Sequence, residues 1–219
     1  MGRRRGSCGG HGARRWCRPR AGRVGAGAAR AGGASPAPPS PAPAAPSPAS
    51  PTASGENLTE DQAERKAIVP QVKVGYDKAL DAALKAVPGA KPVSIELKGP
   101  RNHPTWKAEV ASADGTGHTV RVDAVTGKAG QARTNTDQDS GDKRELADRL
   151  KKATVTVRQA ATAATDRTKG TVTSVELGDT DRGAPKWSVD VVNTSDWNKT
   201  TYDIDATDRT ILREHVDRD

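Results

Sequence analysis

Two aspartates occupy matching places in one chain. Asp123 stands in "TVRVDAVTGKAG" and Asp205 in "TYDIDATDRTIL", at positions 119–130 and 201–212. A repeated carboxylate could serve as a ligand or a partner contact. The preferred alternative makes each one an outward strand residue whose carboxylate accepts from turn amides, at Thr126-Gly127 or Asp208-Arg209. The histidines offer less. His11, His103, His118 and His215 are scattered, and three fall in expected loops or chain ends. Zinc needs several His or Cys at short spacing, and only Cys8, Cys17 and His11 come near that pattern. "DQDSGD" resembles a calcium loop but lacks its glycine at the sixth position and its glutamate at the twelfth. It reads as a solvated linker and helix cap. Trp197, in "SDWNK", is expected at a hairpin tip, where an aromatic either anchors a partner or folds over the edge of its own sheet. No nucleophile, base and ligand converge, so no catalytic, cofactor-binding or metal-binding residue is assigned and the chain reads as a non-enzyme.

The elements that must carry these residues begin after a long lead. Nine arginines and no lysine or acid lie in the first 55 residues. Taking those nine from 35 Lys and Arg leaves 26 against 27 Asp and Glu, so residues 56–219 carry about −1. The pI of 9.7 therefore describes the arm and not the remainder. Residues 1–34 are Arg, Gly and Ala with little that could build a core, and disorder is expected there. The same composition arises when GC-rich DNA is read out of frame, so the arm is either genuine or a misassigned start. Residues 35–56 form a Pro/Ala/Ser linker, a semi-rigid spacer in extended polyproline conformation. No disulfide is available to the folded part, because both cysteines lie in the arm. The basic start of an export signal is present, but its apolar stretch is not.

The remaining chain repeats itself. Ser94-Ile-Glu-Leu97 returns as Ser174-Val-Glu-Leu177, Trp106-Lys-Ala-Glu-Val110 as Trp187-Ser-Val-Asp-Val191, and Val122-Asp-Ala124 as Ile204-Asp-Ala206. Val72-Lys-Val74 likewise matches Val155-Thr-Val157. Within the first unit, Tyr76, Leu80, Leu84 and Val87 fall at helical spacing and Pro88-Gly89 ends the helix. Three alternating strands follow, through Val93-Ile95-Leu97, Trp106-Ala108-Val110 and Val120-Val122-Ala124, with a short fourth after Gly127. A further helix precedes each unit, near 59–69 and 142–153, the second with a capping box at Asp142 and Glu145. The fold class is α+β: two tandem units, each with one or two helices on a three- or four-stranded antiparallel sheet. Their boundaries are 57–133 and 142–219, with a linker at 134–141. In the second unit Ala160, Ala161 and Ala164 stand where the first has larger residues. That unit should be less stable alone and should lean on the first.

These residues resemble the PepSY family. The run from Tyr76 through "ALDAALKAVPGAKPVSIEL", "WKAEVASADG" and "VRVDAVTGKAG" is similar to a PepSY domain, and residues 142–216 resemble a second copy more weakly, with Asp208-Arg209 replacing the closing Thr-Gly. The motif positions are Trp106, Val122, Asp123, Ala124, Thr126 and Gly127, then Trp187, Ile204, Asp205 and Ala206. The resemblance implies a small non-catalytic domain outside the cytoplasmic membrane or attached to it, of the kind found in propeptides of secreted metallopeptidases. It also implies a protein partner, a secreted peptidase in particular, and no cofactor. Membrane association would run through the N-terminus. A competing class is a nucleic-acid-associated protein using the arginine arm, disfavoured because the folded units carry no basic excess.

Overall fold

The computed structural model describes residues 58–218. The arginine arm, the Pro/Ala/Ser linker, and Cys8, His11 and Cys17 lie outside the described residues. Helix α1 (Glu60–Ile68) is started by Thr59, whose hydroxyl accepts from Gln62 while the Gln62 side chain returns to the Thr59 amide. A 3-10 turn at Val69–Gln71 leads to α2 (Tyr76–Ala86), which buries Ala79, Leu80 and Ala83. Strands β1 (Lys91–Lys98), β2 (Thr105–Ala111), β3 (Gly117–Asp123) and the short β4 (Arg133–Thr134) complete the first unit. The second unit repeats the plan with α3 (Ser140–Lys152), α4 (Val157–Arg167), β5 (Thr171–Asp179), β6 (Pro185–Val192), β7 (Lys199–Asp205) and β8 (Ile211–Asp217).

The two units share one antiparallel sheet of eight strands, in the order β4-β3-β2-β1-β5-β6-β7-β8. The seam is the pairing of β1 with β5, where Ser94 faces Glu176, Ile95 faces Val175 and Glu96 faces Ser174. One face of the sheet is apolar: Ile95, Trp106, Ala108, Val110, Val120 and Val122 in the first half, and Val175, Trp187, Val189, Val191, Tyr202 and Ile204 in the second. Helices α2 and α4 cover this face, because a half-apolar sheet must bury its greasy side against another layer. Ala160, Ala161 and Ala164 of α4 are fully buried, and Arg158 of α4 holds Asp81 of α2 at 2.6 Å.

The leading helices behave differently. Each reaches the hairpin of the other unit. Gln62 of α1 donates to Asn198 at 2.8 Å, and Arg65 donates to the Trp197 carbonyl at 3.2 Å and to Asp217 at 2.9 Å. At the other end, Gln138, just before α3, accepts from the Gly117 amide at 2.7 Å, and Lys91 of β1 donates to the Leu150 carbonyl at 3.4 Å. Helix α3 starts earlier than the sequence spacing predicts. Its N-cap is Asp139, which accepts from Gly141 and Asp142, while the Asp142 side chain accepts from the Asp139 amide. The reciprocal box therefore lies at Asp139 and Asp142, three residues before the predicted pair. A cap at Asp142 would have left Ser140 and Gly141 outside the helix.

Candidate functional site

The repeated motif assembles from the strand ends upward. Ala124 and Ala206 are fully buried, and each carbonyl receives two amides from the segment entering a helix. Lys73 and Val74 donate to Ala124 at 3.0 and 2.9 Å; Thr154 and Val155 donate to Ala206 at 2.9 and 2.8 Å. The indoles complete the clamp. Trp106 Nε1 donates to the Val74 carbonyl at 2.7 Å, and Trp187 Nε1 donates to the Val155 carbonyl at 2.8 Å. Each tryptophan thus fills its core and satisfies a backbone group that would otherwise lose its partner.

The motif carboxylates serve the following turns. Asp123 Oδ1 accepts from the amides of Val125 at 2.9 Å and Thr126 at 2.7 Å. Bonds from Thr126 and then Val125 hold the Asp123 carboxyl below the usual range. The Asp205 carboxyl is likewise held down, by the Thr207 hydroxyl and then its amide. Gly127 closes the first turn at φ 76°, and Arg209 takes the same left-handed geometry in the second at φ 69°. Replacement of glycine by arginine therefore keeps the turn, at the steric cost of a side chain in that region. Asp123 and Asp205 end β3 and β7, five strand spacings or about 24 Å apart, so they cannot share a ligand.

Trp197 lies in the β6–β7 hairpin, half-buried, with φ 60°. Its amide donates to Asn193 at 2.8 Å, and its carbonyl is the acceptor for Arg65 of α1. Beside it, Arg65 and Lys199 converge on Asp217 at 2.9 and 3.2 Å. A cleft of about 280 Å³ runs from there between α1 and the central strands, past Glu96, Lys98 and Asp190. Within it Lys98 lies 2.6 Å from Glu96, and Asp190 accepts from the Thr201 hydroxyl at 2.6 Å. This cluster was illegible in the sequence, since it joins residues more than a hundred positions apart.

One arrangement approaches catalytic chemistry. Ser112 Oγ lies 3.0 Å from His118 Nε2, and Thr134 Oγ1 lies 3.2 Å from His118 Nδ1. A Ser-His pair needs an acid on the second ring nitrogen to stabilise the imidazolium. Here a hydroxyl occupies that place, and the contacts tie β2, β3 and β4 together. His103 approaches Asp123 at 3.5 Å on the surface. Among the described residues no group of three or more His, Cys, Asp or Glu is placed to hold a metal ion, and no helix is long and apolar enough to cross a membrane.

Comparison with known proteins follows the internal repeat. The PepSY family, described as the peptidase propeptide and YPEB domain, matches residues 73–129 and again 154–215. No curated protein matches the chain. Among solved structures, a protein assigned as a lipoprotein from Clostridium difficile 630 is 22% identical, with a TM-score of 0.43, covering 67% of this chain and 95% of its own. The YpmB protein from Bacillus subtilis is 16% identical, with a TM-score of 0.29, covering 65% of this chain and 98% of its own. A protein assigned as periplasmic from Bacteroides eggerthii is 16% identical, with a TM-score of 0.26, covering 66% and 90%. With both halves matched by the same domain, and over half its length covered, the chain belongs to the PepSY family as a tandem pair of domains.

Proposed function

We propose that the chain is a non-catalytic, extracytoplasmic protein-binding module that restrains a secreted peptidase. The observation that carries this reading is the match of both units to a family described by peptidase propeptides. The Pro/Ala/Ser tract at 35–56 supports it as a spacer holding a folded domain away from an export signal or anchor. The motif residues are engaged in clamping the fold, which leaves recognition to side chains at hairpins and edges. Trp197 is the candidate contact: a large aromatic at a hairpin whose backbone is fixed by Arg65 presents its ring at low entropic cost.

The test is inhibition. The full chain is titrated into the extracellular fraction of the source organism, and peptidase activity is followed on a generic protein substrate. Activity should fall in a saturable way, and Trp197→Ala should weaken the inhibition by about tenfold or more while leaving the urea midpoint unchanged. A fraction whose activity does not respond would overturn the reading. So would a native protein found in the cytoplasm with its arm intact.

A further inference from the structure

The two halves of the polar face use the same backbone to different electrostatic ends. In the first half Lys107 of β2 stands directly opposite Arg121 of β3, and Arg133 of β4 stands opposite Thr119. Shallow clefts flank Arg121 on both sides, one shared with Lys128 and with Asp123, whose carboxylate is taken by the Val125 and Thr126 amides and approached by His103, and the other shared with Arg133. Lys107 is occupied by Glu109 at 2.7 Å. Arg121, Lys128 and Arg133 are all exposed, and none makes a side-chain ion pair among the described residues. In the second half the position opposite is held by Ser188 and Asp203. There Lys186 and Ser188 close on the carboxylate at 2.8 and 2.6 Å. Glu109 answers Lys107, so the charge that the first copy's own ion pairs leave unmatched on this face, among the described residues, is that of Arg121, Lys128 and Arg133.

We propose that Arg121, Lys128 and Arg133 form a docking surface for a short acidic segment of a partner polypeptide. The exposed guanidinium groups can each take a carboxylate bidentately, and the lysine adds a mobile charge on the side of Arg121 away from Arg133. The size of the ligand follows from the charge around it. Residues 56–219 carry about −1 in all, and Asp190, Asp203 and Asp205 lie toward the far edge of the sheet. Asp203 and Asp205, on β7, are five strand spacings or about 24 Å from Arg121 and Asp190, on β6, four spacings or about 19 Å, two to three screening lengths of about 8 Å at physiological salt. A short segment at β3 and β4 does not feel those acids, whereas a membrane or long polyanion laid across the face would meet them. The surface is separate from the Trp197 hairpin and does not depend on the peptidase reading.

The probe is an acetylated hexaglutamate peptide in which about one carboxylate per chain is preactivated with carbodiimide, so that the remaining carboxylates stay anionic and bind while the activated one couples to a nearby lysine. The first 55 residues contain no lysine, so the arginine arm attracts the peptide equally in every variant without capturing it along its length. Coupling sites on the full chain are mapped by mass spectrometry. The expected result is preferential modification of Lys128, falling about fivefold in Arg121→Gln/Arg133→Gln, as removal of two exposed ion pairs implies, with Lys152 and Lys169 unchanged. Coupling spread over all exposed lysines, or unchanged in the double variant, overturns the proposal. A membrane is tested in parallel with phosphatidylglycerol vesicles. Sedimentation that requires the same two arginines, without preferential coupling at Lys128, assigns the patch to lipid and equally overturns the proposal.

Discussion

Substituting Gly115 tests the crossing of the leading helices. Gly115 sits in the β2–β3 hairpin at φ 84°, and a Cβ built there would lie 1.8 Å from the Lys143 carbonyl oxygen of α3. Two costs combine in Gly115→Ala. The left-handed backbone costs an alanine about 1–2 kcal/mol, and forcing α3 off the hairpin adds about 1–3 kcal/mol, the range for overpacked contacts. The expected loss is therefore about 2–5 kcal/mol. Gly89→Ala separates the terms, because Gly89 has φ 80° with nothing within 4 Å of an added Cβ. It should lose only the backbone contribution, about 1–2 kcal/mol. Urea unfolding of the full chain, followed by tryptophan fluorescence, gives both numbers, and the slope reports whether the native state has loosened. If the two variants lose the same stability, α3 does not rest on the first hairpin, and the account of how the units are tied together fails.

Three further outcomes follow from the same geometry. Trp187→Phe and Trp106→Phe each remove an indole donor from a helix-entry carbonyl. Each should cost about 2 kcal/mol from lost bonding and packing, and a urea midpoint unchanged in either would refute the clamp. The Asp203 carboxyl would be raised by burial, but bonds from Lys186 and Ser188 and the charges of Lys186 and Arg213 outweigh that and hold it below the usual range. A depressed folded value means its contribution is full above the unfolded pKa of about 3.9 and is lost as pH falls through the folded value. The stability gap between wild type and Asp203→Asn should therefore close on acidification below about pH 4, and a gap independent of pH would refute the network. Arg121→Asp places an acid opposite Lys107, as the second copy places Asp203 opposite Ser188. It should stabilise the chain by about 0.5 kcal/mol, and a loss in differential scanning calorimetry would show that the Lys107 and Arg121 pair is not repulsive.

Local pattern carried much of this fold into view, and the parts it hid are non-local. Tyr76, Leu80 and Leu84 announce α2 because a helix has one period, and Trp106-Ala108-Val110 announces β2 because a strand has another. The opposition of Lys107 and Arg121 was within reach too. The "DGTG" turn fixes the hairpin register, and counting back from Ala111 opposite Gly117 brings those two residues face to face. The start of α3 was missed because Asp139 and Asp142 offer the same chemistry at the same spacing as Asp142 and Glu145. Which box forms depends on Gln138 being held at the Gly117 amide, a contact set by the other unit. No pattern within a unit reports that α1 reaches Trp197 and Asp217, because Arg65 is compatible with any solvated helix face.

The seam explains the oldest signal in the sequence. Ser94-Ile-Glu-Leu97 and Ser174-Val-Glu-Leu177 resemble each other most closely where the two copies touch. In an antiparallel pairing about a local two-fold axis, each copy must complement its own duplicate, so one sequence has to satisfy both sides. Serine meets glutamate in both directions, Ser94 with Glu176 and Ser174 with Glu96, and the axis passes through the fully buried pair Ile95 and Val175. Two glutamates placed opposite each other would repel, and a one-residue slip would turn Ile95 out to the polar face. The alternation Ser-Ile-Glu meets both demands at once. Away from the axis that constraint lapses, and there the copies diverge in charge: Lys107 and Arg121 in one, Ser188 and Asp203 in the other. A duplicated domain that is fixed at its centre and free at its rims can hold one fold while presenting two different surfaces.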